Sequence, residues 1–449
     1  MIEGRIRLEP GEGRLVLVFG ALIFFNALAM QISYVASVSG FLKADGLGLV
    51  WLVWLINYAG FLVFAGVQTL FIDRFERVSL MRGLVLYFAT GFGLIWLALQ
   101  LALPGQLSYG ALYLLAEQQW MLFPVVFWVF ANDSVNVQQA KRLFPLMASI
   151  GLVGKLVGLG VASLAPWLLP RFGIDLSHLL LINLTLYLVA AYLPGLMHGR
   201  TRAVAASRVS PEHGAKEGFW ARMSGGLEFV RDVPAFRHLT QFLFAVVVVD
   251  TLVEFYFLAV TDAYFVSRAE YQSFYGAYRI ALVLLIFGTQ LLVTRRLLAR
   301  VPLPRLLSVQ PFVAFSVVAF LIVMPGVVTS VLALFVLRLT TESFHESAAK
   351  TVQGLIPQER RGRVTLILET VVISAGTIVG ALVLGALTLA TDVSVVRDAP
   401  RAYFVFAFVV AAAAMYFAKR MRDTYEASLL NWRLKRRQRT GASVLDKLL

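Results

Sequence analysis

Cysteine is absent from the 449 residues, which excludes both a disulfide framework and a thiolate metal site. Charge is scarce as well. Charged residues make up 15% of the chain, against about 25% in an ordinary soluble domain, so water is not its main solvent. The five histidines show no metal-ligand spacing, and no nucleophile, base and orienting group fall together, so catalysis has no support. Segments of about ten residues alternating apolar and polar, the mark of outer-membrane barrels, are missing too. The first apolar run continues past signal-peptide length without a small-residue cleavage site, and is expected to stay as the first helix.

What the chain has in abundance is apolar length. It is 59% hydrophobic, with a mean hydropathy of +0.77, and runs of roughly 20 residues recur, each long enough to cross a hydrocarbon core of about 30 Å. Spans are predicted at 15–40, 48–72, 80–103, 107–131, 143–169 and 177–197, then at 238–266, 274–294, 303–324, 326–349, 364–390 and 402–418. The expected organisation is a six-helix half over 1–197, a cytoplasmic linker over 198–237, a second six-helix half over 238–418 and a basic tail over 419–449. The net charge of +14 is spread over alternate loops rather than gathered in one patch, which points to membrane topology and away from nucleic acid. Arg74, Arg77 and Arg82, then Lys141 and Arg142, the linker, Arg295 and Arg296, and Arg360 to Arg363 fall on one side. By the positive-inside rule both termini are cytoplasmic, in an inner membrane. The halves also echo each other, because Gln139-Ala140-Lys141-Arg142 and Glu359-Arg360-Arg361-Gly362-Arg363 each precede a glycine-spaced apolar helix. The fold class is therefore read as an all-α membrane protein of about twelve spans in two six-helix halves, major-facilitator-like.

Charges at membrane depth are costly, so they mark candidate sites. Glu117 lies mid-span in Ala116-Glu117-Gln118-Gln119-Trp120; Asp250 and Glu254 sit one turn apart on one helical face, with Asp262 two turns on. Lys155, Arg279, and the series Arg338, Glu342, His345, Glu346 and Lys350 complete the set. For Asp262, Arg279 and Lys350 the competing reading is an ion pair between helices or a side chain reaching for the interface. Gly151, Gly154, Gly158 and Gly160 read as close helix packing. Gly154-Lys155 is not a P-loop, since Ser149 and Leu156 occupy its first and last defining positions.

Three stretches resemble the bacterial and plastid ATP/ADP translocase family. The first is Ala116-Glu117, followed by Phe127-Trp128-Val129-Phe130-Ala131-Asn132 and Gln139-Ala140-Lys141-Arg142-Leu143-Phe144-Pro145-Leu146. The second is Leu252-Val253-Glu254 with Tyr271, Phe274 and Gly276, and the third runs from Lys350 through Ile356-Pro357 to Gly362. The resemblance implies nucleotide exchange with Glu117 and Glu254 at the family's acidic positions. Its two lysines are not matched: the stretch from Asn26 to Tyr34 holds no cation, and Thr351 stands where the second lysine is expected, with Lys350 one residue away.

The leading expectation is thus a secondary transporter for nucleotides or a related organic anion, with no cofactor. Glu117, Glu254 and Glu342 would be its polar site residues, and Lys155, Arg279, Arg338 and Lys350 its anion-binding cations, Arg338 either binding the anion or being held by Glu342 until it arrives. The two mid-span acids are expected to face one cavity. The alternatives are a proton-coupled permease for another solute, in which Glu117 or Glu254 carries the proton, and a scaffold or sensor that does not transport. Topology is testable directly. Alkaline phosphatase fused at Leu449 is expected to be inactive, and high activity there would overturn the twelve-span count.

Overall fold

A computed structural model of the chain describes residues 12–72, 75–197, 219–353, 356, 363–391, 394–398 and 400–445. Among these, eleven stretches are long and apolar enough to cross a membrane. The first of them, Glu12–Phe64, has 53 residues and would be about 80 Å long if straight, far more than one bilayer. It holds two helices, α1 (Glu12–Phe41) and α2 (Val50–Ile72), separated by a turn at Leu42–Gly46 in which Asp45 takes the left-handed conformation at φ 57°. Aspartate tolerates that conformation better than most residues do. The remaining spans are α3 (Arg77–Gln100), α4 (Gly105–Ser134), α5 (Val137–Leu168), α6 (Leu179–Tyr192), α7 (Pro234–Tyr264), α8 (Arg268–Thr289), α9 (Val309–Val323), α10 (Val327–Thr340), α11 (Val372–Ala390) and α12 (Pro400–Leu445).

Most of the expected linker, 198–218, lies outside the described residues; its remaining part forms a helix, Phe219–Asp232, before α7. Of the basic loop Arg360 to Arg363, only Arg363 is described. The basic tail continues α12 as helix to Leu445. At α5 the helix begins at Val137, ahead of the apolar run, because Asn136 and Gln139 form a capping box. The Asn136 side chain accepts from the Gln139 amide at 2.8 Å, and the Gln139 side chain accepts from the Asn136 amide at 3.2 Å. These reciprocal bonds satisfy two amides that a helix start leaves bare.

The helices form two compact units, each drawn mainly from one half of the sequence with short segments exchanged. Unit one comprises Met1–Val53, Val67–Lys216 and Thr261–Val283, and unit two Trp54–Gly66, Glu217–Val260 and Leu284–Leu449. In unit one, α1 runs against α4, α5 and α6. Its core is aromatic: Phe19 meets Phe127 and Phe130 edge-on, and Phe92 stacks on Tyr187. A polar chain crosses this core. Ser33 donates to Gln119 at 2.5 Å, Gln119 to Tyr187 at 2.6 Å and Tyr187 to Asn26 at 2.7 Å, all buried. Such bonds tie α1, α4 and α6 at fixed depth, since sliding any helix strands a buried polar group at roughly 1–3 kcal/mol.

Glycine permits close helix approach in each unit. In unit one a Cβ on Gly154 would stand 2.6 Å from the Phe24 carbonyl oxygen of α1, and one on Gly158 would strike the Leu28 carbonyl. Gly151 faces Ile23 of the same helix, whereas Gly160 has nothing within 4 Å. In unit two the same device joins α11 to α7, with Gly376 against Val247 and Gly380 against Thr251 at 2.9 Å or less.

Three π-turns interrupt unit two, at Gln290–Thr294, Thr341–His345 and Ile367–Val371. The first two brace each other. Gln290 donates to the Glu342 carbonyl and Thr294 to the Ser343 carbonyl, each at 3.0 Å, so carbonyls displaced from the helical ladder keep partners.

The glycine contacts predict an asymmetric outcome. Gly158→Ala pushes a methyl into backbone and is expected to cost about 1–3 kcal/mol, seen as a lower melting temperature of the purified protein, while Gly160→Ala should be neutral. Equal melting temperatures for the two variants would show that α1 and α5 are not held this closely.

Candidate functional site

The residues Glu117, Gln118 and Gln119 are consecutive on α4, and consecutive helical residues point about 100° apart. Gln119 therefore enters the buried polar chain, Gln118 accepts a hydrogen bond from the Tyr87 hydroxyl, and Glu117 is half-buried. On α5, Lys155 is half-buried beside the glycine face.

Arg279 of α8 belongs to unit one. Its guanidinium carbon lies 4.3 Å from the centre of the Tyr34 ring and 6.0 Å from that of Tyr275. Tyr34 is stacked against Tyr275 at 6.3 Å and meets Tyr113 of α4 edge-on at 5.8 Å. A cation over such rings gains about 0.5–2 kcal/mol, and the arrangement gathers α1, α4 and α8 around one half-buried charge. Near the end of α7, Asp262 takes a different partner from the acids before it: Lys43 Nζ is 2.6 Å from its carboxylate and 2.5 Å from its carbonyl oxygen. Arg268 lies over the Tyr109 ring at 4.5 Å and donates to its hydroxyl.

In unit two the decisive residue is Arg338, the last basic residue of α10. Its Nη2 is 2.5 Å from Glu254 Oε2 and 3.1 Å from Asp250 Oδ2. The one-turn spacing of the two acids on α7 puts both carboxylates on the face that meets this guanidinium. The side chains keep 31%, 20% and 17% exposure for Arg338, Asp250 and Glu254 respectively, so the cluster is neither sealed nor solvated. Asp250 Oδ1 is buried without a hydrogen-bond partner among the described residues. With both acids ionised the cluster holds one more negative charge than positive.

Glu342 lies just past Arg338 within the π-turn and is half-buried. An extra residue in one turn rotates the rest of the helix, so spacing on a regular α-helix does not fix where Glu342 points. His345 closes the same turn, buried, with Phe242 edge-on at 6.1 Å and Nδ1 unpartnered among the described residues. Lys350 stands apart. It is 66% exposed, pairs with Glu346 at 3.8 Å, and sits about 18 Å along the helix from Arg338.

Four of the seven sequence-derived site residues thus fall in the two charged centres or beside them. Glu254 and Arg338 are joined directly, Glu342 comes one turn after Arg338, and Arg279 occupies the tyrosine cluster. Asp250 enters as a full member of the Arg338 centre. Composition and spacing do not single out Gln119, Lys43 or the tyrosines, since only a tertiary structure shows which helix each one meets.

Removing Arg338 leaves two carboxylates facing each other. Breaking a buried pair costs about 3–5 kcal/mol, and partial exposure lowers that here to roughly 1–3 kcal/mol. Arg338→Ala is expected to reduce the yield of folded protein several-fold, and adding Asp250→Asn and Glu254→Gln to restore most of it, as measured by size exclusion in detergent. Normal yield of the single variant would mean that the carboxylates do not depend on the guanidinium.

No protein-family model matches the chain, and no curated protein matches it. Solved structures do. A bacterial homologue of the iron transporter ferroportin in an inward-facing state aligns with a TM-score of 0.62 and 12% identity, over 92% of this chain and 100% of that one. An auto-inhibited peptide transporter of the POT family gives 0.59 and 14% over 89% and 96%, and the nucleoside transporter NupG gives 0.57 and 14% over 92% and 98%. Across nearly its whole length, then, this chain has the major-facilitator fold.

Proposed function

We propose that the chain is a secondary transporter working by alternating access, and that it couples solute movement to protons at the centre formed by Asp250, Glu254 and Arg338. Proteins of several substrate classes share its fold, namely an iron transporter homologue, peptide transporters and a nucleoside transporter. The observation that carries the coupling is the charge count: one guanidinium bonded to two carboxylates, 2.5 and 3.1 Å away, in a partly buried setting. A third negative charge brought there as substrate would meet a cation already over-neutralised. A proton removes the excess instead. Protonating either acid loosens one of the two bonds to Arg338, and so gives α7 and α10 two states that differ by a proton.

Exchange of nucleotides or another organic anion is the second reading, favoured by one observation. Arg279 lies over Tyr34 and beside Tyr275, where a cation and aromatic faces together suit a phosphorylated ring. Inner-membrane placement with both termini in the cytoplasm belongs to either reading.

A solute identified by thermal-shift screening, reconstituted in proteoliposomes, separates the two. A pH difference of one unit supplies about 1.4 kcal/mol per proton, enough for about tenfold accumulation. Wild type is expected to accumulate the solute under that gradient, and Glu254→Gln to lose accumulation while still exchanging labelled for unlabelled solute. Exchange of labelled ADP that ignores the gradient would establish the second reading in place of the first.

A further inference from the structure

Gln31 sits near the middle of α1 with none of its surface accessible, yet neither Oε1 nor Nε2 has a hydrogen-bond partner among the described residues. A polar atom left so costs roughly 1–3 kcal/mol. Neighbouring buried polar groups on the same helix, Asn26 and Ser33, are both engaged, which sets Gln31 apart.

The internal repeat shows which position this is. Gly154 and Gly158 of α5 face Phe24 and Leu28 of α1, as Gly376 and Gly380 of α11 face Val247 and Thr251 of α7. Independently, Asn183 of α6 donates to the Ala29 carbonyl at 3.0 Å, and Tyr403 of α12 donates to the Leu252 carbonyl at 2.6 Å. Both sets give one register, with Leu28 matching Thr251 and Ala29 matching Leu252. Gln31, three residues beyond Leu28, therefore occupies the position of Glu254, three residues beyond Thr251. Ala27 occupies that of Asp250. Where unit two places its charged centre, unit one places an uncharged carboxamide. One turn further on α1 is Tyr34, which carries Arg279 at 4.3 Å and stacks on Tyr275.

We propose that Gln31 is the solute-reading group of unit one, and that its solute bears a planar group with a hydrogen-bond donor and acceptor side by side, the edge common to nucleobases and primary amides. A carboxamide presents one acceptor and two donor hydrogens on adjacent atoms, so it bonds twice to such an edge, whereas a carboxylate has no donor to complete the pair. The tyrosine rings and guanidinium beside it suit the flat face of the same group. A site built this way discriminates strongly, because a solute lacking the edge leaves the buried amide unpaired. The proposal rests on the transporter reading and is independent of proton coupling.

The test is thermal unfolding of the purified full chain with millimolar adenine, uracil or benzamide, and with benzoate as a flat solute that lacks a donor. At least one of the first three is expected to raise the melting temperature where benzoate does not. Gln31→Met should abolish that rise while unfolding at the wild-type temperature or above it without solute. A response to adenine or uracil assigns the edge to a nucleobase, and one to benzamide alone assigns it to a primary amide. The proposal is overturned if none of the three stabilises the wild type, if benzoate does as well, or if the rise survives in both Gln31→Met and Gln31→Leu. Failure of both variants to fold overturns it too, since the carboxamide would then be holding helices together. The assay has no gradient, so an absence of proton coupling leaves its outcome untouched.

Discussion

Contact between helix backbones, made possible by glycine, governs the placement of the polar groups in both units. Where α5 meets α1 and α11 meets α7, the backbone and β-carbons of one helix lie where the β-carbons of the other would stand. Two helices in such contact have little freedom to rotate or slide, because either movement drives side chains into backbone. In apolar surroundings there is no hydrophobic force to press helices together, so this close packing and the hydrogen bonds across it must do so. The rotation imposed on α7 turns Asp250 and Glu254 toward α10, and that imposed on α1 buries Gln31.

On that frame the polar residues divide by whether they are satisfied. The chain from Ser33 through Gln119 and Tyr187 to Asn26 is closed by short hydrogen bonds and acts as a fastener. The Arg338 centre is a different kind of object, with more acid than base and one carboxylate oxygen of Asp250 left over. A satisfied network resists change, whereas an unbalanced one responds to whatever restores balance. Both lie within helices whose sequence would otherwise be read as uniformly apolar.

Much of the fold was legible because lipid thickness imposes a period that composition reveals. Among the described residues the apolar runs correspond to eleven apolar helical stretches, the first of which, Glu12–Phe64, takes in two of the runs. Helix ends were less legible: α5 begins at Val137 and α8 at Arg268, ahead of their apolar runs, because hydropathy marks the hydrocarbon boundary and capping marks the helix. The one-turn spacing of Asp250 and Glu254 already put them on a common face. That their shared partner is Arg338 depends on how α7 and α10 pack, which no local spacing encodes. The regular α-helical spacing that would set Glu342 on the face of Arg338 is interrupted by the π-turn at Thr341–His345, and the carboxylates bonded to Arg338 are those of Asp250 and Glu254. The interleaving of the two units, in which Trp54–Gly66 clusters with the second and Thr261–Val283 with the first, has no trace in composition or charge.

The π-turn has a further consequence. It is one residue of slack in α10, stored immediately after Arg338 and braced from the neighbouring π-turn through Gln290 and Thr294. Slack in a helix is transferable, since passing the extra residue from one turn to the next requires only local exchange of hydrogen bonds. Passing it across Arg338 would turn that guanidinium by about 100°, off the two carboxylates, while leaving the ends of the helix where they are. A shift of that kind would be opposed by the two side-chain hydrogen bonds from Gln290 and Thr294.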